Sequence, residues 1–195
     1  MYFQRINSSS PEQVFLMVQN ATDNTMPVGH AAFYWYTGSQ TGGTVAEGRG
    51  FQVTFGNTDT NYPPHAGLWA GVVAKRPIVA GDFGSVQCWG WNDFILVMGT
   101  TSGDFVTIAA TGPAQLTNIV LRPLGIYGNG TNEGAATNAG YMGVVTLSDW
   151  SDYGGPYVVP VDGFYTQAGY GTVGTALVTM SDGVVRYCKG HIRAF

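Results

Sequence analysis

Residues 66 to 112 read AGLWAGVVAKRPIVAGDFGSVQCWGWNDFILVMGTTSGDFVTIAATG. Their apolar residues fall into short runs, Leu68 to Ala74, Ile78 to Ala80, Val86 to Trp91, Phe94 to Met98 and Phe105 to Ala110. Each run is closed by a Gly-rich or Asp-containing turn, and apolar runs punctuated in this way predict strands. Two of the turns share a pattern, Ala80-Gly81-Asp82-Phe83-Gly84 and Ser102-Gly103-Asp104-Phe105-Val106. In both, the Gly frees the backbone for positive φ, the Asp can accept a nearby backbone N–H, and the aromatic returns the chain to the core. Nothing catalytic stands in this block.

Working outward, the same grammar continues. Upstream, Val14 to Val18 is a continuous apolar run, Asn20 to Pro27 a polar turn, and Ala31 to Tyr36 an aromatic strand. Phe51 to Phe55 alternates Phe, Val and Phe with Gln and Thr, a strand with one buried face. The Gly-rich loop Thr37 to Gly50 is followed by no helix and holds no Lys, so a phosphate cradle is set aside. Gly56 to Ala66 is a long exposed connection, of the kind that often carries contacts. Downstream, strands are expected at Leu116 to Leu124, Gly125 to Gly128 and Tyr141 to Leu147. A strand pair is expected around Pro160 within Tyr157 to Phe164, and Thr172 to Met180 and Val184 to Cys188 complete the set. Asp182-Gly183 between the last two is a hairpin signal. Asn129 to Gly140 is a polar, small-residue surface loop, and a sub-boundary would fall there. Residues 1–13 are expected to form an extended arm, either frayed or bound to a neighbour, and 14–195 a single all-β domain.

No amphipathic helical run longer than two turns appears, and 29 of the 195 residues are Gly. The expected class is all-β, a β-sandwich or β-barrel with long Gly-rich loops. Charged residues make up 10% of the chain, against roughly 25% in an average soluble protein. With 13% aromatics, so few charges suit a protein that hides part of its surface against a partner. The net charge is −4, with eight Lys and Arg spread along the chain and no basic arm. Offsetting phosphate takes clustered cations, so no nucleic-acid contact is expected, and Arg186, Lys189, His191 and Arg193 read as a solvated or partner-facing end. Between Pro123 and Val185 there is no Lys or Arg, while Glu133, Asp149, Asp152, Asp162 and Asp182 lie inside.

Cys88 and Cys188 are the two cysteines, too few for a disulfide framework, and are expected as free, half-buried thiols. The start, Met1 to Ser8, lacks the apolar core of a signal peptide, and no apolar run reaches the ~20 residues of a membrane span. Asn7-Ser8-Ser9 and Asn20-Ala21-Thr22 fit a glycosylation sequon in form and are read as turns. His30, His65 and His191 show no metal-ligand spacing, so no zinc site or other cofactor is expected. Asp149 and Asp152 suit an Asx turn better than calcium or an acid/base pair. No Gly-x-Ser-x-Gly elbow is present, and the chain is not expected to be an enzyme. Trp89 and Trp91 sit at i and i+2, on one strand face or astride Gly90. Core filling, a hydrophobic interface and stacking on sugar are all open to them.

The series Gly71-Val72-Val73, then Ile78 to Gly90 (IVAGDFGSVQCWG), then Val97 to Asp104 (VMGTTSGD), then Ala110-Thr111-Gly112 resembles the small all-β capsid decoration (cement) and head structural proteins of tailed bacteriophages. In that group a glycine-and-aromatic corner leads into a Val-Gln-x-x-Gly strand, followed by a hairpin ending in Gly-Asp. The match runs from about Asn20 to Gly130 and carries over no functional residues. The resemblance implies a β-tulip-like barrel and a virion structural role on the capsid surface, in a protein made in the host cytoplasm. Its partners would be the major capsid protein and itself, as a homotrimer. Interface residues are expected in the arm (Tyr2, Phe3, Arg5, Ile6), in the long connection (Tyr62, Pro63) and at Trp89 and Trp91. The alternative reading is a carbohydrate- or receptor-binding β module of a phage tail fibre, with Trp69, Trp89, Trp91 and Tyr157 as stacking residues. A shell-forming jelly roll is a third, disfavoured by the missing basic arm.

Overall fold

A computed structural model describes residues 12–34, 52–54, 69–101, 106–108, 118–124, 126–128, 131–133, 140–146, 157–165 and 182–194. The described part is all β. Eleven strands follow in chain order: β1 Val14–Asn20, β2 Ala31–Tyr34, β3 Gln52–Thr54, β4 Trp69–Val73, β5 Phe83–Met98, β6 Ile119–Pro123, β7 Ile126–Gly128, β8 Thr131–Glu133, β9 Met142–Thr146, β10 Tyr157–Tyr165 and β11 Val185–Arg193.

The 16-residue β5 organises the rest. One hydrogen-bonded circuit runs β5, β11, β10, β6, β9 and back to β5; a second runs β1, β3, β2, β4, β5 and back to β1. The first half of β5 pairs with β1 and β4, the second half with β11 and β9. A closed barrel with further strands results, a solution that leaves few unpaired edges. One core cluster joins residues from Leu16 to Ala194, with Trp69, Phe33, Phe164 and Met26 the largest side chains wholly inside. Each such side chain contributes about 2–3 kcal/mol of transfer free energy.

Several expectations need correction. Val86 to Trp91 and Phe94 to Met98 are not two strands but parts of β5. Asn92-Asp93, which reads as a turn, is accommodated inside it. Asn92 Nδ2 donates to Gln87 Oε1 at 2.9 Å, its Oδ1 accepts Phe94 N–H at 2.6 Å, and β11 continues alongside with Gly190 opposite Asn92. Likewise Tyr157 to Phe164 is the single strand β10, not a pair. Its ladder to β6 is confined to Val158 and Leu121, so Pro160 sits where a missing N–H is tolerated. Ile78 forms an isolated bridge with Met26 instead of a strand. The loop expected over Asn129 to Gly140 contains β8, paired antiparallel with β7 so that Gly128 faces Thr131. Asn129-Gly130 between them is the hairpin signal that the polar composition hid. The last strand extends to Arg193, past the expected Cys188. Phe105, Leu116 and the expected strand Thr172 to Met180 lie outside the described residues.

Both thiols are free and fully buried, not half-buried. Burial pushes Cys88 up to about 11, so the thiolate that reagents attack is scarce at neutral pH. Native protein is expected to leave Cys88 and Cys188 unlabelled by an aromatic disulfide reagent over minutes, with both reacting after denaturation. Prompt labelling of either thiol in the folded chain would contradict this packing.

His30 follows the Gly29 turn, where Gly29 N–H donates to Val73 O and Leu96 N–H to Gly29 O. Its ring packs on Tyr141 with centroids 4.8 Å apart. Burial lowers its pKa from 6.5 to about 4. Folding therefore favours the neutral ring, so stability is full above pH 6.5 and falls as pH drops towards 4, where the folded form also takes the proton. The loss amounts to about 2 kcal/mol after allowance for its partial exposure. Denaturant midpoints for the native chain and His30→Gln at pH 7, 5.5 and 4.5 should diverge in slope, the variant being flatter.

Candidate interaction surface

On β11, Cys188, Gly190 and Ile192 are buried, while Lys189 and His191 are half-buried and Arg193 is exposed. The period of two puts those three on the outward face. On β5 the same alternation turns the half-buried Trp89 and Trp91 outward around buried Gly90, and on β10 it turns the half-buried Tyr157 and the exposed Val159 outward around buried Val158. The register then fixes the neighbours. Arg193 lies opposite both Trp89 and Tyr157, and His191 opposite both Trp91 and Val159. Two rows of three side chains cross adjacent strands.

Contacts within the rows are close. The Arg193 guanidinium lies 5.4 Å from the Trp89 ring centroid and 5.7 Å from that of Tyr157, and its Nη1 donates to the Tyr157 hydroxyl at 2.9 Å. His191 meets Trp89 edge-on, with centroids 5.6 Å apart. Trp91 Nε1 donates to Asp93 Oδ1 at 2.7 Å. Further along, Lys189 Nζ sits 5.3 Å from the Tyr165 centroid. Cations held over indole and phenol rings at such distances are attracted by the ring quadrupole.

The row also adjoins residues 12 and 13, the end of the expected arm. Trp89 faces Val14 at the start of β1 as well as Arg193. Gln13 Nε2 donates to Trp91 O at 2.6 Å, and Gly90 has no Cβ to meet Glu12 O. The structure thus brings Trp89, Trp91 and the end of the expected arm together. Tyr2, Phe3, Arg5, Ile6, Tyr62 and Pro63 lie outside the described residues. Trp69 is only 2% exposed and is a core residue, which removes it from the stacking set. Asn20, of the sequon-like Asn20-Ala21-Thr22, is buried, and its Oδ1 accepts Thr22 N–H at 2.9 Å, the geometry of an Asx turn.

Sequence reasoning grouped Tyr157 with Trp89 and Trp91 as stacking residues but left the basic end apart from them. Lys189, His191 and Arg193 at alternate positions were the signal that one strand face collects them. A second exposed apolar region lies at the other end of β5, where Met17 (68% exposed) and Phe83 (53%) emerge. Among the described residues, no group of three or more His, Cys, Asp and Glu is placed to hold a metal ion. Asp149 and Asp152 lie outside them. No helix of the described residues is long and apolar enough to cross a membrane. Comparison of the chain with protein-family models, with curated proteins and with solved structures finds no match.

Proposed function

We propose that this chain is a virion structural protein of a tailed bacteriophage, a capsid decoration or cement protein that binds the assembled head and bridges neighbouring capsid subunits. Its action is thermodynamic. A protein that binds the assembled shell and not free subunits stabilises the shell by mass action, by RT ln(1 + L/Kd) for each site, where L is its free concentration. The major capsid protein is the partner, a homotrimer is the functional unit, and no reaction is catalysed. The observation that carries this reading is the Trp89, Arg193 and Tyr157 surface beside the base of the arm, on a charge-poor barrel. Tryptophan, tyrosine and arginine are the residues enriched where protein interfaces take most of their energy.

The test is reconstitution. Purified protein is mixed with heads that lack it, and the heads are sedimented and imaged by electron microscopy. Saturable density on the outer shell and a higher temperature for shell rupture are expected. A protein that stays in the supernatant at micromolar concentration refutes the proposal.

Because Trp89, Trp91 and Tyr157 stand at the surface, a tail-fibre module that stacks sugars is the second reading. Saturable binding to host surface polysaccharide, with none to heads, would establish it in place of the first.

A further inference from the structure

We propose that the Tyr157, Arg193 and Trp89 row is the anchor of the docking face, and that it receives a carboxylate-bearing, acidic segment of a shell protein. This rests on the virion reading above and specifies the partner's chemistry. Arg193 is exposed yet held between two rings, and among the described residues only one of its N–H groups is committed, to the Tyr157 hydroxyl. A guanidinium carries five N–H donors in a planar fork, so a pair suited to bidentate carboxylate binding stays available. The flanking rings fix its plane in advance and reduce the ordering cost of binding.

Charge selects the partner. Among the described side chains no carboxylate pairs with Arg193 or with Lys189, whose ammonium lies over Tyr165. The nearby acid, Asp93, is engaged by Trp91 Nε1. Arg193 and Lys189 thus offer two cations along one strand face of a chain of net charge −4, and a basic partner segment would be repelled by them. Val159, 38% exposed beside His191, adds an apolar contact at the rim. A segment with an Asp or Glu next to an apolar residue matches all these features. A free polyanion would use the cations and have little use for Val159.

The experiment measures binding of the full chain to heads that lack it, at low and at moderate salt, for the native sequence, Arg193→Glu, Arg193→Lys and Trp89→Ala. Melting temperatures of all four establish that each is folded. Arg193→Glu is expected to weaken binding about 100-fold, and the other two about 10-fold each, because lysine keeps the charge but loses the fork. The native affinity should fall with salt and that of Arg193→Glu should not. Parallel arms use hyaluronate, as an acidic polysaccharide, and a single-stranded DNA oligonucleotide. Failure of the native chain to bind heads removes the virion reading and this inference with it. Equal binding by native chain and folded Arg193→Glu overturns this inference alone. So does a loss confined to hyaluronate or DNA with head binding intact.

Discussion

Replacing Gly90 by alanine is expected to lower the unfolding free energy by about 4 kcal/mol, from two costs that add. The first is conformational. Gly90 has φ +95° inside a continuous strand, a region where a side chain's Cβ meets its own backbone. The second is steric, because the new Cβ would land on Glu12 O. A carbonyl oxygen cannot rotate away as the end of a flexible side chain can. The segment just before β1 must move, and with it Gln13, whose side chain donates to Trp91 O. Gly81→Ala is the control. Gly81 also has positive φ, +76°, but nothing lies within 4 Å of the added atom, so about 1 kcal/mol is expected. Denaturant titration of both variants separates the two costs. If they lose equal stability, the packing of Glu12 against β5 is not as described.

The same few residues show what could and could not be read ahead. Glycine-punctuated apolar runs identified β1, β2, β4, β6 and β9 because each is short and bounded by turn residues, and all but β1 are largely buried. The all-β class followed from that. What failed were places where a local rule yields to register. Asn92-Asp93 has turn composition, yet Gln87 and β11 satisfy it within a strand. Pro160 looks like a break, yet stands where β6 no longer pairs with β10. Trp69 has the same identity and similar flanks as Trp89 and Trp91, and only three-dimensional packing separates the buried ring from the surface ones. For the interaction surface, spacing alone could place Trp89 and Trp91 on one face. That Arg193 and Tyr157 stand beside them is a property of pairing between residues far apart in sequence, which no local pattern encodes.

The polar turn after β1 should be nearly as sensitive as Gly90, for a different reason. Asn20 is fully buried, and its side chain makes four hydrogen bonds. Nδ2 donates to Asn24 O at 2.7 Å and to Ile78 O at 2.9 Å, while Oδ1 accepts Thr22 N–H at 2.9 Å and Thr22 Oγ1–H at 2.7 Å. One amide thus closes its own turn and ties it to the segment that bridges Met26 with Ile78. Asn20→Ala strips partners from several polar groups at once, and a buried unsatisfied group costs roughly 1–3 kcal/mol. Some of these groups can reach water once the turn loosens, so about 3 kcal/mol is the expected total. Asn20→Asp distinguishes the donors from the acceptors. The carboxylate still accepts from Thr22 but faces two carbonyl oxygens, so at pH 7 it should be at least as damaging as alanine. Burial and those carbonyls raise the carboxyl's folded pKa above its unfolded value. The protonated acid can donate one of the two lost bonds, so the Asp variant should recover relative to the Ala variant as pH falls from 7 to 5. Urea midpoints at both pH values provide the comparison. A cost below about 1 kcal/mol for Asn20→Ala would mean that the backbone bonds of Asn20 N–H to Asp82 O and Gly81 N–H to Asn20 O hold the turn by themselves.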